Sequence, residues 1–299
     1  MGVIGFWGTG IAHERRGQGC QDALGLGNLD GGGLVLALSD GASGSRYGAE
    51  AADANVQAVV SYFEEGSLTD FEALSPADRR EQILDACRRR LAGLQQDRPE
   101  APPEDFSATL LFFVWDGRRW AAGHLGDGLL LLRDDRGGRL LYSPPEQRGR
   151  GDSTYFTIAP DAAAHLRITL ASPEAPGPDL LLMMTDGPQE MFRTRGAAVE
   201  ATADELLDFA DGGLIRGKAD LSDALDQMTV YAVDRMDDWS VVLWSGRARF
   251  QDGLPRQAVS MLELEERKQR SAYDEKTEED PYAREETQNE PGAGPAVSG

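Results

Sequence analysis

The chain has 299 residues, 40% of them hydrophobic, enough for one large two-layer domain or two small ones. A net charge of -21, from 51 acidic against 30 basic residues, repels nucleic-acid phosphate and anionic membrane. With no signal-like pattern in Met1–Gly10 and no run of about 18 apolar residues, the expectation is a cytoplasmic protein with no nucleic-acid and no membrane partner. Three histidines and two distant cysteines, Cys20 and Cys87, argue against a zinc knuckle or a redox pair and leave oxygen ligands in abundance.

Val3, Ile4, Phe6 and Trp7 make Gly2–Gly10 a short first strand. After the Gly31–Gly33 turn, Leu34–Leu38 is an apolar run of strand length, stopped by Ser39–Asp40–Gly41. Ala52, Val56, Val59, Val60 and Phe63 recur at spacings of three and four, predicting a helix over Ala49–Glu65. A second helix covers Pro76–Leu94, with Ser75 as N-cap, Pro76 in the first position, and Ile83, Leu84, Cys87, Leu91 and Leu94 on one stripe. Gln95–Asp105, with three prolines, reads as a loop. Phe106–Trp115 and Arg119–Leu125 flank a hairpin turn at Asp116–Gly117, and Leu129–Arg133 and Arg139–Tyr142 flank another. His165–Leu170 and the unbroken Leu180–Thr185, a central strand, come next. Helices over Thr202–Phe209 and Leu221–Val233 and a last strand at Val241–Trp244 complete residues 1–256. This order predicts an α+β fold, a sandwich of two antiparallel β-sheets flanked by helices. In residues 257–299, Ala258–Arg270 reads as a short helix. Ser271–Gly299 reads as an acidic disordered tail, with eight carboxylates in residues 271–290 opposed only by Lys276 and Arg284.

Four apolar runs carry an aspartate at one end. Leu34–Ser39 precedes Asp40, Ala121–Gly126 precedes Asp127, Leu180–Thr185 precedes Asp186, and Asp237–Asp238 precedes Trp239–Leu243. A carboxylate where a buried strand reaches solvent is costly unless something binds it, and several gathered together would make a cup for hard divalent cations. Taken singly, each Asp-Gly pair is an ordinary turn; their joint occurrence at strand ends points to a site. Asp22, in the polar loop Gly17–Ala23, is a further candidate.

The order of the pieces carries a resemblance. Cys20–Gln21–Asp22–Ala23, Ser39–Asp40–Gly41–Ala42, Ser107–Ala108–Thr109–Leu110, Gly126–Asp127–Gly128, Thr185–Asp186–Gly187 and Asp237–Asp238–Trp239–Ser240 resemble the successive motifs of the metal-dependent protein phosphatase 2C family. The bacterial branch, with Gly-Asp-Gly, is nearest, and the likeness runs from about Gly5 to Trp244. It implies a metal pair at one end of the sandwich, Mn²⁺ or Mg²⁺, with Asp40 as the bridging ligand and the carbonyl of Gly41 beside it. Asp186 and Asp237 would complete one shell, Asp22 would support the other ion or its water, and Asp127 would take a third, weaker ion. Such ions activate a water for attack on phosphorus, so no side-chain nucleophile is needed.

The implied activity is hydrolysis of phosphoserine and phosphothreonine in proteins, with a phosphorylated protein as substrate and a kinase as partner. Arg16, rather than Arg15, would bind the phosphate, although Gly17–Gln18–Gly19 shifts its spacing from the family pattern. The acid histidine that the animal-type branch carries after its Asp-Gly is replaced by Ala42–Ser45. That departure and the shifted arginine leave room for a phosphatase-like regulatory module with little turnover, and a small-molecule phosphohydrolase is a third reading. His13 is expected either to orient the loop before Asp22 or to stand in for the missing acid histidine, His124 to be a second support or a satisfied strand residue, and His165 to be structural. Met183, Met184 and the strand tryptophans are expected to fill the core, and Cys20 to be either oxidisable or buried and inert.

Overall fold

Ten strands, paired antiparallel throughout, form two five-stranded sheets in the structure, a computed structural model that describes residues 1–148, 154–171, 174–189, 199–228, 237–247 and 250. All lie in the first compact unit of the chain, Met1–Met261. The expected helix over Ala258–Arg270, the tail from Ser271, and the part of the Leu221–Val233 helix beyond Met228 lie outside the described residues.

The first sheet has the order β1 (Gly2–Gly8), β10 (Trp239–Ser245), β9 (Pro178–Met184), β6 (Leu129–Asp134) and β7 (Arg139–Ser143). The second has the order β2 (Asp22–Leu29), β3 (Gly33–Asp40), β4 (Leu110–Trp115), β5 (Trp120–Leu125) and β8 (Arg167–Leu170). Between them, the ring of Trp244 in β10 lies 5.3 Å from both Phe113 and Trp115 of β4, so apolar inner faces weld the sheets together. Over the second sheet lie α2 (Gly48–Glu65) and α4 (Pro76–Gln96), which bury Val56, Val59, Val60, Phe63, Ile83, Leu84, Cys87 and Leu91. Burial pushes the Cys87 thiol up to about 12, so it is an inert core group. The first sheet packs Ile4, Leu131, Leu182 and Leu243 in one cluster with Leu206 and Leu207 of α6 (Val199–Asp211) and Leu221 and Leu225 of α7 (Lys218–Met228). Met184 belongs to that cluster and Met183 is equally buried, which makes both the core residues expected.

Several boundaries differ from expectation. The polar loop around Asp22 is the start of β2, an eight-residue strand whose pattern is interrupted by Gly25 and Gly27. Those glycines are where α2 lies on the sheet: a Cβ on Gly25 would stand 2.2 Å from Val56 Cγ1, and one on Gly27 2.8 Å from Val60 Cγ1. The first half of Phe106–Trp115 is not strand, because Pro103–Phe106 forms a 3-10 turn and β4 begins at Leu110. His165 ends the short helix α5 (Ala162–His165) rather than opening β8. Two helices of six residues were not anticipated. In α1 (Ile11–Arg16) the chain stops at Gly17, which takes the left-handed φ of 66°. In α3 (Leu68–Ala73) the Ser67 hydroxyl caps the first turn by accepting from the Asp70 N–H at 3.0 Å.

Candidate metal centre

At one end of the sandwich both sheets run out into aspartates. Asp22 begins β2 and Asp40 ends β3, and the antiparallel register sets them opposite one another. Asp186 follows β9 and Asp237 lies two residues before β10, both in the other sheet. Asp127 sits between β5 and β6, where the chain crosses from one sheet to the other. One carboxylate oxygen from each of Asp40, Asp127 and Asp186 lies within 4.8 Å of the others. Asp127 therefore stands with Asp40 and Asp186 rather than apart from them. Asp237 is partly exposed, with its Oδ1 4.0 Å from His13 Nδ1.

The carboxylates of this cluster make one another costly to ionise. Asp40 is held well above the usual carboxylate range by burial and then by the negative charges of Asp186, Asp22, Asp127 and Asp237. Burial raises Asp22 to about 7, against the pull of the Ser240 and Thr185 hydroxyls and with the Asp238 charge adding to the rise. Asp22 Oδ2 accepts a 2.8 Å hydrogen bond from Thr185 Oγ1, while its Oδ1 is buried with no hydrogen-bond donor. An orphaned buried carboxylate oxygen beside four further carboxylates fits a divalent ion with hard oxygen ligands, and the donor set contains no thiolate.

Backbone packing explains the Gly after Asp40. The Gly41 N–H donates to the Gln21 carbonyl at 3.1 Å, Ala42 N–H to the Ser107 carbonyl at 3.0 Å, and a Cβ on Gly41 would lie 2.4 Å from the Gly48 carbonyl oxygen. Only glycine lets the turn after β3 lie between β2 and the start of α2. Asp40 itself is fixed by Thr109, whose N–H donates to the Asp40 carbonyl at 2.9 Å and whose Oγ1 accepts from the Asp40 N–H at 3.0 Å. Below it, fully buried Asn55 of α2 donates to the Thr109 carbonyl at 3.3 Å and accepts from Thr157 Oγ1 at 3.1 Å.

Three supporting residues escaped the sequence reading. Buried Gln189 binds two of the acidic loops at once: its N–H donates to the Asp186 carbonyl at 2.8 Å and its Nε2 to the Asp127 carbonyl at 2.6 Å. Thr185 joins the sheets, donating to Asp22 and accepting from the Ser240 N–H at 2.9 Å. Asn55 has no local pattern to mark it, because its partners are 54 and 102 residues away.

The histidines separate cleanly. His13 is buried on α1 and bonds Asp238 at 2.9 Å, consistent with an orienting role for the segment before Asp22. His124 accepts from Arg167 Nη2 at 2.9 Å and lies 2.9 Å from Ser143 Oγ; burial and the Arg167 charge push it down to about 3, so it is a neutral strand residue. His165 bonds Glu146 Oε1 at 2.8 Å and stacks on Tyr155, a structural pairing. Cys20 is buried, its thiol 3.6 Å from the Gly8 carbonyl. Arg15 and Arg16 are exposed at the end of α1; Arg16, three residues after His13, shares its helix face. No helix among the described residues is long and apolar enough to cross a membrane.

The fold is similar to that of solved bacterial phosphatases. The catalytic domain of the serine/threonine protein phosphatase PstP in complex with 2 manganese ions aligns with a TM-score of 0.54 at 16% identity, over 81% of this chain and 96% of that one. The S. agalactiae serine/threonine phosphatase aligns with a TM-score of 0.54 at 15% identity, over 81% and 97%. An arginine-to-lysine variant of a bacterial serine phosphatase aligns with a TM-score of 0.55 at 14% identity, over 81% and 96%. A search of curated proteins finds no match. The sequence pattern of the family described as "Protein phosphatase 2C" matches residues 9–226, from just before α1 into α7. Most of the chain is thus covered by one family pattern, and the protein belongs to the protein phosphatase 2C family.

Proposed function

We propose that this metal-dependent protein phosphatase removes phosphate from phosphoserine and phosphothreonine side chains of proteins with the help of two Mn²⁺ or Mg²⁺ ions. The observation that carries the reading is geometric: Asp22 faces Asp40 across β2 and β3, and one carboxylate oxygen from each of Asp40, Asp127 and Asp186 lies within 4.8 Å of the others, with the charge of Asp237 also felt at Asp40. Asp40, with the Gly41 carbonyl, Asp22, Asp186 and Asp237 would hold the ion pair, and Asp127 a third ion. When bound, the ions supply the acidity that activates water and the positive charge that neutralises the phosphoryl oxygens. The chain's own part is to fix the carboxylates: Thr109 holds Asp40, Thr185 holds Asp22, and Gln189 ties the backbones of Asp127 and Asp186. Arg16, which forms no ion pair among the described residues, is the fork that would receive phosphate oxygens from the side of α1. With a net charge of -21, substrates with basic residues flanking the phosphate are favoured over acidic ones. A kinase working in the same cytoplasmic compartment is the counterpart that such a substrate requires.

The test is hydrolysis of p-nitrophenyl phosphate and a mixed phosphoserine and phosphothreonine peptide set, with Mn²⁺, with Mg²⁺ and with chelator. Turnover on the peptides with metal and none with chelator is expected. Asp40→Asn and Asp186→Asn should each lower kcat/KM by about 100-fold or more, because several kcal/mol of charge stabilisation goes with a lost ligand. Arg16→Ala should weaken phosphopeptide use where Arg15→Ala does not. Turnover confined to the small ester would shift the reading to a small-molecule phosphohydrolase, and no metal-dependent turnover on either would shift it to a binding module.

A further inference from the structure

The Asp237 side of the centre is held by a pair of residues that no metal needs to touch. Asp238 is 2% exposed, and its carboxylate is spent on three groups from the other end of the chain. Oδ1 accepts from the Gly10 N–H at 2.6 Å, and Oδ2 accepts from the Gln21 N–H at 2.5 Å and faces His13 Nδ1 at 2.9 Å. His13 is 3% exposed, so neither partner has water to fall back on. His13, Asp237 and Asp238 lie close enough together to hold an ion, but both Asp238 oxygens already face backbone donors, so the trio is a clamp and not another metal site.

What the clamp grips is specific. Gln21 is the residue before Asp22, and its carbonyl accepts from the N–H of Gly41, the residue after Asp40. Asp238 follows Asp237, and its own N–H donates to Asp237 Oδ1 at 2.9 Å, with His13 Nδ1 4.0 Å from the same oxygen. Asp238 thereby sets the backbone beside Asp22 through its carboxylate, holds Asp237 through its own N–H, and through Gln21 reaches the turn beside Asp40. With Nδ1 facing a carboxylate, that nitrogen carries the proton and donates. Removing it leaves a buried anion short of a donor, free to swing away from Gln21.

We propose that His13 and Asp238 form a positioning pair that sets the affinity of the centre for divalent ions. The proposal rests on the reading of the carboxylates as metal ligands, and groups that orient ligands in this way are worth roughly 10- to 100-fold in metal affinity. The experiment is calorimetric titration of Mn²⁺ into the full-length protein after chelation, with thermal melts of the metal-free forms alongside. His13→Ala should weaken Mn²⁺ binding by about 10-fold or more. His13→Asn places an amide N–H where Nδ1–H stands and should bind within about threefold of the wild type; His13→Gln, whose N–H lies at the Nε2 position, should bind as weakly as His13→Ala. The Asn and Gln pair decides the matter if the alanine variant does not fold. Wild-type affinity in His13→Ala or His13→Gln, or equal weakening in Asn and Gln forms that melt alike, overturns the pair. Absence of Mn²⁺ binding by the wild type itself would instead overturn the functional reading beneath it.

Discussion

Asp22 shares the electrostatic cost of the centre with Asp40. The Asp22 carboxyl moves from the ordinary 3.8 to about 7 in the folded protein, chiefly through burial. Between about pH 4 and pH 7 the folded, metal-free chain therefore keeps a proton that the unfolded chain has released. A raised folded pKa contributes stability that is complete below the unfolded value and lost as pH rises through the folded one. If Asp22 supports the ions as proposed, it does so ionised, so their binding would release that proton and their affinity would fall as pH drops through the same window. In chelated protein, wild-type stability should fall relative to Asp22→Asn between pH 5 and pH 7.5. Urea unfolding at the two pH values checks this; parallel pH slopes for the two proteins would contradict it. Other single residues carry support rather than charge. Gln189, for example, serves two carboxylate loops through their backbone and cannot be recognised from its neighbours in sequence.

Among the elements, the close contact of β2 with α2 constrains the strand that carries Asp22. Gly25→Ala would set a methyl group 2.2 Å from Val56 Cγ1 inside a closed layer, where overpacking costs about 1–3 kcal/mol. Chemical denaturation should show that loss, and an unchanged midpoint would mean that α2 yields at no cost. The same contact explains what the sequence conceals. Leu34–Asp40 and Leu180–Asp186 are legible because unbroken apolar runs end abruptly at Asp-Gly, so strand and site announce each other. In Asp22–Leu29 the glycines demanded by the helix above erase the apolar alternation, and Asp22 reads as part of a loop. Its role was visible only through the motif that contains it. The helix α1 is too short at six residues to show a period, and Gly10 before it makes no side-chain cap. His13 and Asp238 are 225 residues apart and meet only because β1 and β10 are neighbours in the sheet. Local pattern reaches strand ends and stops short of pairings that topology creates.

For the whole molecule, the centre joins two layers. Asp22 and Asp40 lie in strands of one sheet, and Asp186 and Asp237 in loops beside strands of the other, with Thr185 already bridging to Asp22. Ions that bind only this folded arrangement stabilise it by mass action, about 2.7 kcal/mol at a hundredfold excess over Kd. For a domain of this size that is a rise of roughly 5–10 °C in Tm. A melt that rises with Mn²⁺ concentration in wild type, but not in Asp40→Asn, is the expected result. A metal-independent Tm in wild type would break the link between binding and folding.

The partial exposure of Asp40, Asp127 and Asp186 governs what can be served. Solvent reaches these three carboxylates, so a phosphate can approach them from outside the sandwich. Selection among substrates would then rest on the surface around the cluster and on the charge it carries.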